Sequence, residues 1–297
     1  MKTVFKFLVV TSFFTLFFAG CNKRVQSKSN THPLKISEGG LILVNVLVAD
    51  SIEGRFILDT GAGIHAISDA LRRRLTTVPA GNFTGFRHTG ERVDFGLFQI
   101  PSLNIAGFRQ EKPLAASWSL LDSFKIDGIL SLKFFEDRPF TLDFRDSVLI
   151  FETPQTLADR LKTGQRTPIR LHDDRGKSLD LFVDVQAADS QKLECILDTG
   201  SPSSVFDARF IPAFGIDTTS KEVQKRTRKS LFGAVETEYI ATVPSISLWN
   251  VPSTTEKDFR VTFKPHLIYD GLLGTDLLMG RRVTFNIPER YILVGAD

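Results

Sequence analysis

Cysteine is almost missing from this chain: Cys21 and Cys195 are the only two in 297 residues. Two cysteines cannot build the framework of bridges that staples small secreted domains. Cys195 stands in the apolar run Cys195-Ile196-Leu197, where a small buried hydrophobe is expected rather than a reactive thiol. Histidine is sparse too, five residues without H-x-x-x-H spacing, so no metal site and no cofactor is implied. His65, near one key loop, is expected to be packed or solvated rather than ligating. Charge of one sign is also lacking. The formal net charge is +3, and the basic residues are scattered apart from Arg72-Arg73-Arg74 and residues 221–229, which read as solvated faces of a helix and a loop. Nucleic-acid binding is therefore not expected. Beyond residues 8–18 there is no long apolar run, and that one is too short to span a bilayer comfortably.

What is present is a globular composition, 42% hydrophobic and 24% charged, long enough for two domains or one large β protein. The 26 Phe residues exceed what surfaces hold, so they should fill cores and line a groove. Lys2 and Lys6, the apolar run 8–18 and the small residues Ala19-Gly20 before Cys21 read as a signal peptide over residues 1–20. Small residues directly before a Cys resemble a bacterial lipobox, in which Cys21 would carry lipid and begin the mature chain. Phe18 stands where Leu is usual, and an ordinary cleaved signal peptide is the alternative. Either way the chain is expected to be exported, and Asn22-Lys23-Arg24 hints at a periplasmic face. Residues 21–32 are polar and aperiodic, a tether between membrane and fold.

After the tether the chain runs through one pattern twice. Residues 43–61 read LVNVLVADSIEGRFILDTG and residues 182–200 read FVDVQAADSQKLECILDTG, aligned without a gap at an offset of 139. Each copy reads as strand, polar turn and second strand ending at an Asp. A short helix should follow each time, capped by Ser68 over 69–75 and by Asp207 through Phe214, with Gly215 ending the second. Further on, 100–105 matches 243–248, Asp127-Gly128-Ile129-Leu130 matches Asp270-Gly271-Leu272-Leu273, and 148–151 matches 291–294, all at an offset of 143. Three blocks held in register establish an internal duplication. Residues 153–165 (TPQTLADRLKTGQ) form the connection between a first lobe at 33–152 and a second at 166–297. Alternating apolar residues with frequent Gly and Pro predict an all-β, mostly antiparallel fold with short helices.

The triplets Asp59-Thr60-Gly61 and Asp198-Thr199-Gly200 end these apolar strands. A lone triplet says little, because Asp, Thr and Gly are common in turns. A carboxylate at the end of a buried strand is different: it is costly unless paired or hydrogen-bonded. Thr supplies a hydroxyl, and Gly lets the backbone come close. Two such sites at equivalent places can face each other across a two-fold axis.

These motifs, with Ser201 after the second triplet and Ile129-Leu130-Ser131 and Leu272-Leu273-Gly274 downstream, resemble the aspartic peptidases over essentially the whole mature chain. Each lobe resembles a retropepsin-like barrel, and the fused pair is similar to the pepsin arrangement and to two-lobed bacterial lipoproteins of that kind. The resemblance implies pseudo-two-fold lobes in an acid protease fold. It implies that Thr60 and Thr199 lock the two loops together, and that the apolar-apolar-Gly stretch packs beneath each. It also implies a catalytic pair, Asp59 and Asp198. Two carboxylates about 3 Å apart share one proton, so one Asp takes a proton from water while the other polarises a peptide carbonyl. The implied function is an aspartic endopeptidase: a membrane-tethered hydrolase and protease acting on peptide or protein substrate, as a monomer with its dyad within one chain. The alternative is a non-catalytic exported lipoprotein that keeps the fold and binds peptide or lipid in its cleft; degeneration of one triplet would have favoured it, and neither is degenerate.

Three departures from the family pattern stand out. Ser131 replaces the Gly of the first lobe's apolar-apolar-Gly motif. Ala62 follows the first triplet where Ser201 follows the second, so Asp198, with an extra hydroxyl donor, is expected to be the ionised member and Asp59 the protonated one. The three Tyr (Tyr239, Tyr269 and Tyr291) all lie in the second lobe, so no lid tyrosine is available in the first. A lid is expected instead at the hairpin around Gly85, Phe86 and Gly90, with a counterpart near Phe232 and Gly233.

Overall fold

The structure is a computed structural model that describes residues 30–188, 191–229 and 235–295. The signal segment, Cys21 and the lid candidates Phe232 and Gly233 lie outside the described residues. No helix among those described is long and apolar enough to cross a membrane.

The fold is all-β in its main elements, with two sheets of 10 and 13 strands. The first copy of the repeat forms the antiparallel strands Ile42–Val48 and Ile52–Asp59, and the second forms Ser178–Ala187 and Gln191–Leu197. Period-two burial explains each strand: Ile42, Val44, Val46 and Val48 point inward while their neighbours face out. Ala49 and Asp50 take left-handed conformations in the first turn, and Ala188 does so in the second. Each Asp strand then pairs in parallel with a downstream strand, Ile52–Asp59 with Gly128–Ser131 and Gln191–Leu197 with Gly271–Leu273. Main-chain anchors repeat with them. Asp127 accepts from the Arg55 amide at 2.8 Å and Asp270 from the Glu194 amide at 2.9 Å.

The helical expectations hold in kind and differ in extent. Ser68 caps the helix Asp69–Arg74 by accepting from the Leu71 amide. Asp207 caps only a 3-10 turn, Ala208–Phe210, and a second turn, Pro212–Phe214, ends at left-handed Gly215; Pro212 lacks the N–H a continuous helix would need. The connection is a helix, Pro154–Thr163, closed by a capping box at Thr153 and Thr156.

Three features differ from the sequence reading. Thr31 and His32, taken as tether, belong to the strand Thr31–Pro33, which pairs with Val148–Phe151. The basic stretch expected as loop contains an edge strand, Gln224–Lys229, whose Arg226 and Arg228 face the buried Glu238. Most consequentially, the first half does not close on itself. Its strands Phe140–Asp143 and Val148–Phe151 leave the smaller sheet and join Arg282–Asn286 and Tyr291–Val294 of the second half.

At that junction Thr141 stands opposite Thr284, its counterpart at an offset of 143, and their hydroxyls hydrogen-bond at 2.6 Å. Phe140 stacks on Phe285 at 4.7 Å and on Phe135 at 4.0 Å. One continuous core therefore runs through both halves. Replacing Phe140 by Ala should reduce the unfolding free energy by about 3–5 kcal/mol in urea titration. The control Phe124→Ala, at a side chain 63% exposed, should stay within about 0.5 kcal/mol of wild type.

Candidate functional site

The two Asp-Thr-Gly loops meet at the centre of the molecule. Thr60 and Thr199 are completely buried and bind one another reciprocally. The Thr60 amide donates to Thr199 Oγ1 at 3.0 Å, and the Thr199 amide donates to Thr60 Oγ1 at 3.1 Å. Each hydroxyl passes its own proton across to the other strand, Thr60 to the Leu197 carbonyl at 2.7 Å and Thr199 to the Leu58 carbonyl at 2.9 Å. Every polar atom of this four-bond square is satisfied in a dry place, where a stranded partner would be expensive.

This square sets the positions of the carboxyls. Gly61 and Gly200 have no side chain because there is no room: a Cβ on Gly61 would lie 2.5 Å from Asp198 Cγ, and one on Gly200 would lie 2.4 Å from Asp59 Cγ. Each carboxyl thus rests on the opposite loop's glycine, and the two hydrogen-bond each other. Burial pushes both above the ordinary carboxylate range; for Asp198 the charge of Asp59 adds to it and pushes it well above. Asp59 is held lower by its hydrogen bond with Asp198 and by amides, those of Gly61 and Ala62 both reaching its Oδ1 at 2.9 Å.

The extra hydroxyl expected to distinguish Asp198 is directed elsewhere. The Ser201 hydroxyl does not serve Asp198; it donates to the Ser203 carbonyl at 2.8 Å. The Ser201 amide goes to the main-chain oxygen of Asp198, at 3.2 Å. Asp198 Oδ1 accepts the Gly200 amide at 2.8 Å. The two carboxyls therefore titrate as one coupled pair that shares a proton. Chemically the pair presents one donor and one acceptor side by side.

Ser131 also finds its reason. In the second half a Cβ on Gly274 would press to 2.6 Å from the Ser203 carbonyl carbon, and Ser204 Oγ accepts the Gly274 amide at 3.1 Å. In the first half His65 occupies the place of Ser204. Its Nδ1 accepts the Ser131 amide at 3.1 Å and its Nε2 meets Gln110 Oε1 at 3.0 Å. Ser131 lies beside Asp59 in the strand register. Burial lowers His65 to about 4, so it is the neutral imidazole that supports this loop. Cys195 is buried, and burial raises its thiol well above the ordinary value, as an inert core residue requires. Among the described residues no group of three or more His, Cys, Asp or Glu is gathered as metal ligands would be.

Above the pair lies a cleft of about 860 Å3 lined from both halves. The first half supplies an apolar wall that includes Ile64, Phe83, Phe95 and Trp118, with Phe95 edge-on to Trp118 at 6.4 Å. The second half supplies Phe182, Ile196 and Tyr269 together with the polar Arg170, His172, Asp180 and Glu194. None of these polar residues was singled out in the sequence; the signal was their place on or beside the strands leading to the second Asp. The hairpin Val78–Phe86 with Arg92–Gln99 covers the cleft. It contains Gly85, Phe86 and, at a left-handed turn, Gly90. Its tip is fastened to the second half, where the Ile268 amide donates to the His88 carbonyl at 2.9 Å.

No family profile and no curated protein matches the chain. Solved structures do. It is similar to basic 7S globulin from soybean, with 13% identity, a TM-score of 0.52, and 90% of this chain and 94% of that one covered. It is also similar to conglutin gamma, a basic 7S globulin from lupine seeds, at 14% identity and a TM-score of 0.54, covering 90% and 94%. A third is edgp, at 11% identity and a TM-score of 0.54, covering 89% and 94%. Likeness at such identities is a likeness of fold. These findings correct the family reading. The neighbours are named as globulins and edgp and not as peptidases, so membership of the retropepsin-like aspartyl proteases, and endopeptidase as the function, give way to a shared fold. The physical reason is that a doubled Asp-Thr-Gly dictates how two loops interlock, while the reaction depends on what the cleft admits.

Two outcomes follow from the site. Thr60→Val strands the Thr199 amide and the Leu197 carbonyl, at about 1–3 kcal/mol for each group. A urea-unfolding double-mutant cycle with Thr199→Val should show coupling of about 1 kcal/mol or more. The second outcome concerns pH. Both carboxyls titrate above their unfolded values, so their contribution to stability is present in acid, below the unfolded pKa, and is lost as pH rises through the folded values. Asp198→Asn should raise the unfolding midpoint at neutral pH, by about 1.4 kcal/mol for each pKa unit removed, and the gain should vanish in acid.

Proposed function

We propose that the cleft is a receptor for an extended peptide, with the Asp59–Asp198 pair at its floor as the polar group that orients what is held there. The observation that carries this reading is a pair of hydrogen-bonded carboxyls, one from each half, at the base of an apolar-walled cleft beneath a latched hairpin. Buried polar groups in such a cleft orient a ligand, and apolar walls supply its binding energy. The hairpin offers backbone along the cleft, and extended peptides bind by adding to such edges.

The same reading takes the two halves as lobes related by a pseudo-two-fold axis. That axis passes between Thr60 and Thr199, between the carboxyls, and between Thr141 and Thr284, each residue meeting its own counterpart. One chain then holds the whole centre as a monomer. Export, with attachment to a membrane through a lipid on Cys21, completes the reading and rests on the sequence of the first 21 residues.

The cleft's Trp118 gives a direct test, because the chain has only two Trp. Titration with an extended-peptide library should produce a saturable change in Trp fluorescence that Trp118→Phe abolishes. Absence of saturable binding from pH 4 to 7 refutes the receptor.

A further inference from the structure

The two Asp loops are flanked differently by the opposite half, and the difference concerns one carboxylate. The strand Ser178–Ala187 begins against the first Asp loop, where the Leu179 amide donates to the Gly63 carbonyl at 2.9 Å. This brings Asp180 over that loop: a Cβ on Gly63 would lie 2.9 Å from Asp180 Oδ1. At the corresponding contact of the other half, a Cβ on Gly40 would lie 2.7 Å from Pro202 Cβ, and the residue matching Asp180 at an offset of 139 is Leu41. One contact is apolar, and the other places a carboxyl in the lining of the cleft.

That charge is poorly compensated by the protein. Among the described residues its ion-pair partner is His172, with Nδ1 at 3.8 Å and a side chain 70% exposed, against 25% for Asp180. The other charges of this wall are engaged elsewhere. Arg170 binds Glu194 at 2.7 Å and Asp184 at 2.6 Å, and Asp174 is paired with Arg175 at 2.9 Å. Burial raises Asp180 above the ordinary carboxylate range, as expected of a desolvated anion without a close cation.

We propose that Asp180 is a specificity-determining residue of the cleft, selecting an extended peptide that carries a Lys or Arg side chain at the position lying against Gly63. The inference rests on the peptide-receptor reading and adds the chemistry of one ligand residue. A guanidinium or ammonium there faces a carboxylate already removed from bulk water, with aromatic Phe182 and Tyr269, in edge contact at 5.2 Å, along the same wall. Their faces suit the stem of a long cationic side chain.

A peptide library varied one position at a time, at pH 7, tests this on the full chain, read by mass spectrometry for the peptides retained. Wild type should favour Lys or Arg at one position by about tenfold over Leu, the worth of about 1.4 kcal/mol. Asp180→Asn, an isosteric change, should abolish the preference while apolar positions stay selected, and Asp180→Lys should turn it toward Glu. Peptides bound without a basic preference, or a preference that persists in Asp180→Asn, overturn the assignment and leave the receptor standing. A library that fails to bind at all removes the receptor reading and this one with it.

Discussion

The reciprocal hydrogen bonds of Thr60 and Thr199 are the constraint on which the rest of the site depends. Two buried carboxyls resist desolvation and, when both are charged, repel one another. The threonine square below imposes it. It ties the ends of two strands from opposite halves by four bonds in a water-free place, so separating the loops would strand four groups at once. Gly61 and Gly200 then let each carboxyl settle over the other loop. The strain of the pair is borne by bonds that the pair itself does not make.

Duplication sets up the site, and divergence gives it direction. Ala62 donates its amide to Asp59, while the Ser201 hydroxyl turns to Ser203, so the extra side chain does not distinguish the two carboxyls. His65 with Ser131 and Ser204 with Gly274 are two solutions to one problem, holding the strand beneath an Asp loop. The imidazole is larger than a hydroxyl and brings Gln110 with it. Leu41 and Asp180 extend the same divergence to the contacts beside the two Asp loops, of which Asp180 lines the cleft.

Much of this was legible in the residues. The register of the two copies made Asp59 and Asp198 equivalent, and period-two alternation identified the strands that carry them. Ser68, Asp207 and Gly215 announced their turns through capping chemistry that acts over three or four residues. The exchange of Phe140–Asp143 into the other half's sheet had no such signal, because strand partners are chosen by long-range packing and the same alternation suits either sheet. The latch from Ile268 to His88 is a main-chain bond between exposed loops, to which side-chain identity contributes little. The Ser201 hydroxyl was misjudged for a related reason: it was counted as a donor to Asp198, while its rotamer was decided by the Ser203 carbonyl.

The sequence by itself determined a duplicated β fold, the two Asp-Thr-Gly loops and their equivalence, because these follow from local pattern and from register along one chain. Tertiary structure alone decided that the loops interlock, that the two carboxyls are buried as one pair, that the halves share one core through Thr141 and Thr284, and that Asp180 stands in the cleft with only the exposed His172 beside it. Each of these depends on the distance between groups more than a hundred residues apart, or on the burial that surrounds them. Burial also sets the energy of a charge, and no residue carries its burial in its own name.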